Sequence, residues 1–411
     1  VSRFTFASGN AAKLLSVPLY VAGAIATRFV RRRNDLWVFG SGSGVGEGSL
    51  ALLQTVRRQQ PDLRIAWLAR DESDLARARE LGIRAVLKDS WRGFRLTLRA
   101  RVIVVTHGFG DANRFAVRGG FIVQLWHGIP LKRIQLDAPT TFAAPGPLRG
   151  LLRRLYRRTA QNIDLVTAAG APSAERLRTA FGVPEDRIAI TGDPRDDLLS
   201  RGSSGERRAT ADTLLHSLLQ LAGSPRVIMF APTWRDGNPD PGLPSDTEWQ
   251  RIGEWLENTR SVLVVRPHPH SVGDYEGGPT HSRRILLLDA TALRDITPVL
   301  PAVDALITDY SSIAFDYALT GGPIYFLAAD VAEYGANRGL YEPYERFSGG
   351  REVHTWPALL EVIDRADTDP TLGRAIRAHS DDLRRRFHAY ADGRNSHRVY
   401  TQILERLKEV E

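Results

Sequence analysis

Four short polar clusters hold the residue types that bind anions and move protons, and each follows an apolar run. The first is Thr308-Asp309-Tyr310-Ser311-Ser312-Ile313-Ala314-Phe315-Asp316. Ahead of it, Ala302 to Ile307 reads as a buried parallel strand. Beyond it, Ile313, Phe315, Tyr317, Ala318 and Leu319 start a helical pattern that Gly321-Gly322-Pro323 stops. Asp309, Ser311 or Ser312 is therefore expected to cap a helix at the carboxyl end of a strand. Unpaired backbone N–H groups and two hydroxyls would face the crevice there, as a phosphate site requires. An ordinary N-cap is the plainer reading of the serine pair taken alone.

Repetition of the pattern argues for more. Ala231-Pro232-Thr233-Trp234-Arg235-Asp236 and Arg266-Pro267-His268-Pro269-His270 close two further strands, and the prolines halt those strands. Arg235 and Arg266 are each suited to neutralising phosphate oxygens through a forked guanidinium, and His268 to donating a further hydrogen bond. Converging arginine, histidine and a serine-capped helix suit one anionic ligand, and a diphosphate best. Trp126-His127-Gly128-Ile129-Pro130-Leu131-Lys132 ends another strand. There Gly128 and Pro130 keep His127 on a loop, where an imidazole of near-neutral pKa suits a general base. A lone histidine is more often structural.

The elements that position these clusters follow from the pattern. Strands are expected at Leu36–Phe39, Arg64–Leu68, Arg84–Leu87, Val102–Thr106, Phe121–Leu125, Leu165–Ala168 and Ile188–Thr191. A second set comprises Arg226–Phe230, Ser261–Val265, Arg284–Leu288, Ala305–Thr308 and Pro323–Leu327. Helical stretches such as Glu72–Leu81, Leu148–Gln161 and Ser173–Phe181 separate them. Alternating strand and helix predicts parallel, doubly wound sheets. After Phe39 the glycines at 40, 42, 44, 46 and 48 alternate, so the dinucleotide fingerprint is not met, and a tight strand-to-helix turn accounts for them.

The 411 residues are 43% apolar and 25% charged, enough for two cores of roughly 150–200 residues each. Zero cysteines exclude disulfides, thiolate metal sites and cysteine nucleophiles. The net charge of +8 gathers in two places. Arg3, Lys13, Arg28, Arg31, Arg32 and Arg33 precede any acid, and Arg149, Arg153, Arg154, Arg157 and Arg158 form a second patch. Of nucleic acid and an anionic membrane surface, the membrane is preferred, because Ala11 to Val30 reads as an amphipathic interfacial helix. Its uninterrupted apolar part, about 14 residues, is too short for a span. The expected organisation is a basic membrane-associating segment (1–34), a Rossmann-like domain (35–200) that the resemblance set out below marks as the acceptor side, an interdomain linker (201–224), a second Rossmann-like domain (225–390) that the same resemblance marks as donor-binding, and a C-terminal helix (391–411).

Taken together, Trp126-His127-Gly128-x-Pro130-Leu131-Lys132, Gly192-x-Pro194-Arg195-x-Asp197, Ala231-Pro232-Thr233-Trp234-Arg235, Arg266-Pro267-His268-Pro269, the Thr308–Asp316 stretch and Asp392-Gly393-Arg394-x-Ser396-x-Arg398-Val399 resemble the motif series of the CDP-glycerol glycerophosphotransferases. Gln135 departs from that family, which usually has glycine there. The resemblance implies an α/β fold of GT-B type, two doubly wound domains facing a cleft, on the cytoplasmic face of the membrane as a peripheral protein. It implies transfer of glycerol phosphate or another polyol phosphate from CDP-glycerol or CDP-ribitol to a lipid-linked saccharide acceptor, with release of CMP, in teichoic acid or capsule-like polymer synthesis. The residues it marks are His127 and His268 as catalytic, and Thr233, Arg235, Arg266, Asp309, Ser311, Ser312 and Asp316 as donor-binding. Lys132 and Arg195 are marked as acceptor-side or supporting. No acidic pair at metal-ligand spacing stands out, so no protein metal site is expected and Mg2+ is left open as a soluble cofactor; no nucleic-acid partner is expected. A GT-B nucleotide-sugar glycosyltransferase or epimerase is one alternative, and a non-catalytic basic membrane adaptor is another.

Overall fold

Parallel strands are covered on both faces and read as unbroken apolar runs, and each run named above is a strand in the structure, with ends shifted by a few residues. The structure, a computed structural model, describes residues 23 to 409 except 24, 28, 139–140, 142–145 and 236–237; the side chains of 146–148 and 336–338 are also left aside. Most of the Ala11–Val30 helix expectation thus lies outside the described residues.

The chain forms two compact units. The first ends at Gly128, resumes over Ile134–Asp197 and takes in Arg394–Glu411; the second comprises Ile129–Arg133 and Leu198–Gly393. In the first unit β1 (Arg33–Phe39), β2 (Arg64–Ala69), β3 (Ala85–Leu87), β4 (Ala100–Val105), β5 (Phe121–Gln124), β6 (Leu165–Ala168) and β7 (Ile188–Ile190) make one parallel sheet, ordered β3-β2-β1-β4-β5-β6-β7. Alternation of side chains along each strand sends Trp37 and Phe39 to one face and Leu36 and Val38 to the other. The first face packs under helix Glu47–Gln59 through Leu52, Leu53 and Val56.

In the second unit β8 (Arg226–Ala231), β9 (Ser261–Val265), β10 (Ile285–Leu287), β11 (Ala305–Thr308) and β12 (Ile324–Phe326) are parallel in the order β10-β9-β8-β11-β12. Phe230, Val265 and Ile307 pack there with Trp249, Ile252 and Leu256 of helix Asp246–Asn258 and with Trp356, Leu359 and Ile363 of helix Trp356–Thr368.

Three boundaries differ from the sequence expectation. Residues 201–224 are not a linker: helix Ser204–Leu219, started by a Ser203–Glu206 capping box, belongs to the second unit, where Arg208 pairs with Asp304 at 2.8 Å. Lys132 belongs to the second unit as well, since its backbone bridges Leu340. Helix Asn395–Glu409 returns to the first unit, burying Val399, Tyr400 and Ile403 in the core around Trp37. Two of the three consecutive arginines are held by the fold, while Arg31 is exposed. Arg32 donates to the carbonyls of Thr97, Ala100, Ala116, Val117 and Arg118, and Arg33 pairs with Asp35 at 3.0 Å.

Each sheet has one point where strand order reverses, between β1 and β4 and between β8 and β11. Loops leaving neighbouring strands diverge there, which opens a crevice at the carboxyl ends of the strands. In the first unit the reversal is lined by the Gly40–Gly44 turn and Thr106-His107; in the second, by Thr233–Arg235 and Asp309–Ser312.

Candidate active site

At the second unit's reversal, Thr308 Oγ1 donates to the Ala231 carbonyl at 2.7 Å and clips β11 to β8. Asp309, buried, accepts through one oxygen from the Thr233 N–H at 2.8 Å and the Tyr310 N–H at 2.5 Å. Its other oxygen accepts from Arg235 at 3.1 Å. Asp309 therefore does not cap a helix. The helix after it, Ile313–Ala318, starts at Ser312 without a side-chain capping bond, and Asp316 is buried within it. Ser311 and Ser312 are half-buried, and the Ser311 hydroxyl receives only a long 3.5 Å contact from the Ile313 N–H.

Arg235 departs furthest from its expected role. Its donors go to Asp330 at 2.8 and 2.9 Å, to Asp309 and to the Thr233 carbonyl, and Asp240 stands 4.0 Å away. Tyr310 and Tyr334, stacked at 4.0 Å, carry the guanidinium on their rings. Burial works against its charge, but the Asp330 hydrogen bonds and the nearby carboxylates outweigh this and raise its pKa. A guanidinium so committed holds the loop rather than a phosphate. One cost appears at Asp240, whose pKa is pushed up to about 6 by burial and by the charge of Asp309.

Arg266 and His268, at the end of β9, are placed differently. Arg266 is half-buried and gives two N–H bonds to the carbonyls of Leu288 and Arg294, which fixes the fork while leaving other N–H bonds to spare. His268 lies along Trp234 at 5.7 Å, and its Nδ1 accepts the His270 N–H at 3.2 Å, so the ring hydrogen sits on Nε2. Desolvation of the ring, then the charges of Lys132, His270 and Arg266, push its pKa well below the ordinary imidazole value, although the residue's outer edge stays open to solvent. It is thus a neutral Nε2–H donor across the physiological range. Thr233 Oγ1 is buried with no hydrogen-bond partner among the described residues, which is costly unless something else supplies one. The Lys132 ammonium lies 5.9 Å above Tyr334.

In the first unit His127 follows Trp126, whose φ of 66° is unusual for a residue other than glycine. The Trp126 ring is buried against Ala160, Ile163 and Phe181, which holds that conformation and turns His127 out of the strand line. Arg195 follows β7, and its backbone comes close to Gly48 in the first turn of the helix after β1. It is buried beside Asp193 at 3.3 Å, within a motif that anchors the last helix. Asp197 accepts the N–H groups of Asn395 and Ser396 at 2.7 and 3.0 Å, and the Asn395 amide donates to the Asp193 carbonyl. A side chain at Gly192 would meet Asn395 at 2.1 Å, which explains that glycine. The two motifs interlock structurally, and Arg195 sits within that interlock as a supporting residue. Gln135 takes the left-handed conformation, φ 51°, that glycine adopts freely, and its side-chain oxygen accepts from the Tyr156 hydroxyl at 2.6 Å.

Sequence reasoning missed His107. Its ring stacks on His127 with centroids 3.9 Å apart and planes 6° from parallel. A strand end followed by His-Gly, as at His127-Gly128, was the available signal.

Doubly wound parallel units with their polar residues gathered at the strand-order reversals define a GT-B-like α/β protein. The chain belongs to the CDP-Glycerol:Poly(glycerophosphate) glycerophosphotransferase family, whose model matches residues 24–405. It is 28% identical over 327 residues to a teichoic acid glycerol-phosphate transferase of Staphylococcus aureus, covering 78% of this chain and 80% of that protein. It is 30% identical over 228 residues to the teichoic acid ribitol-phosphate polymerase TarL of the same species, covering 55% of this chain but only 38% of TarL. Its fold matches that of the wall teichoic acid polymerase TagF with a TM-score of 0.76 at 21% identity, over 95% of this chain and 93% of that one.

Two substitutions separate scaffold from ligand contact. Arg235→Ala is expected to leave buried carboxylates unpaired and cost roughly 3–5 kcal/mol of stability, read as a large fall in melting temperature. Arg266→Ala is expected to fold normally and to weaken CDP binding, by about 1.5–3 kcal/mol for a charge-assisted hydrogen bond, read by calorimetry. A normally stable Arg235→Ala protein that merely loses CDP would reverse the assignment.

Proposed function

We propose that this chain transfers glycerol phosphate or another polyol phosphate from CDP-glycerol or CDP-ribitol to a hydroxyl of a lipid-linked saccharide acceptor, in the synthesis of a teichoic acid or similar polymer. The observation that carries this reading is the set of polar groups at the ends of β8, β9 and β11: the fork of Arg266, the Nε2–H of His268 beside Trp234, the half-buried Ser311 and Ser312 hydroxyls, and the Thr233 hydroxyl, buried with no hydrogen-bond partner among the described residues. Family membership supports a CDP-linked donor over a sugar nucleotide. Arg235 and Asp309 hold the Thr233 loop, and Asp316 is buried in the helix that follows the serines.

The acceptor oxygen attacks the β-phosphorus as the bond from that phosphorus to the bridging oxygen breaks, and CMP leaves with the bridging oxygen. The hydroxyl proton passes to His127. Such a transfer needs alignment and charge neutralisation more than covalent help. Arg266 and the Nε2–H of His268 are suited to holding the charge that moves onto the diphosphate. Incubation with CDP-glycerol, CDP-ribitol and UDP-sugars, with a lipid-linked acceptor present, is expected to release CMP from a CDP-polyol and no nucleotide from UDP-sugars. UDP release instead would favour the glycosyltransferase or epimerase reading.

A peripheral place on the cytoplasmic face of the membrane is the second part of the proposal. No helix among the described residues is long and apolar enough to cross a membrane. Leu151 and Leu155, 49% and 42% exposed, alternate on helix Gly146–Ala160 with exposed Arg154, Arg157 and Arg158. Ile25 and Phe29 are exposed one helical turn apart. Apolar side chains flanked by arginines suit an anionic leaflet. Since each such arginine contributes on the order of 1 kcal/mol, replacing Arg154, Arg157 and Arg158 together is expected to weaken binding to anionic vesicles strongly, and salt to do the same. Equal binding to neutral vesicles would contradict this.

A further inference from the structure

The first unit's strand-order reversal holds a second histidine with no assigned task. His107 follows β4, and its Nδ1 accepts the Gly42 N–H at 3.2 Å and lies 2.8 Å from the Thr106 hydroxyl. An Nδ1 that accepts a backbone N–H leaves the ring hydrogen on Nε2 and keeps the ring neutral, because a second proton would set N–H against N–H. The Gly42 loop is itself fixed, since Arg70 binds its carbonyl while pairing with Asp74. A side chain at Gly42 would meet the His107 ring at 2.6 Å, so only glycine allows the ring this close. On its other side the ring lies flat on His127, which is also flanked by Trp126 with centroids 4.0 Å apart.

We propose that His107 is a positioning residue for His127: seated by Gly42, it fixes the plane of the His127 ring and offers a neutral π face to the imidazolium formed when that ring takes a proton. This rests on the general-base reading of His127. Two stacked imidazoles cannot both carry charge without repulsion, so one must stay neutral for the other to work as a base. The charged groups acting on His107 are Asp111, from the segment after β4, and Arg70, at the end of β2. Desolvation lowers the His107 pKa, Arg70 lowers it further and Asp111 opposes them, and the net shift is downward. The neutral His107 ring thus lies beneath His127 as an aromatic face that favours a cation.

The test compares His107→Ala, His107→Phe and His107→Gln in the full chain, with Gly42→Ala displacing the ring by a separate route. For each, turnover, donor KM, the pH profile and the His127 titration in a 13C-histidine-labelled protein are measured. His107→Ala is expected to lower kcat about 10- to 100-fold through loss of alignment and to leave donor KM within about twofold, since the donor groups belong to the other unit. Without the π face the His127 imidazolium is less favoured, so its pKa and the acid limb of the rate profile should move to lower pH. Phenylalanine, which keeps a flat neutral ring, should restore most of both; glutamine, which can accept the Gly42 N–H but cannot stack, should not. Gly42→Ala should resemble His107→Ala. Rescue by glutamine and not phenylalanine, or an unchanged His127 titration in His107→Ala, overturns the proposal while His127→Ala stays inactive. Normal turnover in His127→Ala would instead overturn the base reading beneath it.

Discussion

The Asp309 carboxylate is the contact on which the second unit's site depends. Two adjacent parallel strands, β8 and β11, send their loops apart and expose the N–H groups of Thr233 and Tyr310. Asp309 takes both, along with one arm of Arg235. A hydrogen bond to a charged group contributes roughly 1.5–3 kcal/mol, and burial of the carboxylate makes its partners obligatory. The guanidinium brings Asp330 and Asp240 into the same cluster and rests on stacked Tyr310 and Tyr334. A loop fixed this firmly holds Thr233 in one arrangement.

The first unit uses the same device. Asp111 accepts the N–H groups of Thr106 and His107 and the Thr106 hydroxyl, so a buried carboxylate again ties down the end of the strand beside the reversal. Its backbone comes close to the glycine turn, and a side chain at Gly40 would meet the Asp111 carbonyl at 2.1 Å. Gly40 and Gly42 are therefore small because a backbone and an imidazole press against them, rather than because a dinucleotide does. In each unit a buried carboxylate carries the load of the turn.

Both sheets were legible in the sequence because a strand buried on both faces is apolar along its buried length, as Val102–Val105 and Val262–Val265 illustrate. The positions of the site loops followed from the prolines and glycines that end those strands. What each polar residue does there was less visible. Arg235 and Arg266 look alike in sequence, and only the approach of Asp309 and Asp330 from distant positions shows that one is a strut. Arg195 was obscured in the same way by Asp193 and by the return of the last helix. Arg32 resembled a membrane cation until the carbonyls around it were seen. His107 was missed because stacking between residues twenty positions apart leaves no periodic trace.

The central claim is that proton removal belongs to the first unit and donor binding to the second. The most direct test measures CDP affinity and turnover side by side in His127→Ala and His127→Gln. Affinity is expected to stay within a few-fold of the parent while turnover falls about 10²–10⁴-fold in both variants, the usual contribution of a general base. The parent's acid limb should be missing from the residual rate. Near-normal turnover with glutamine, or a matching loss of CDP affinity with alanine, would contradict the division and make His127 a phosphate ligand.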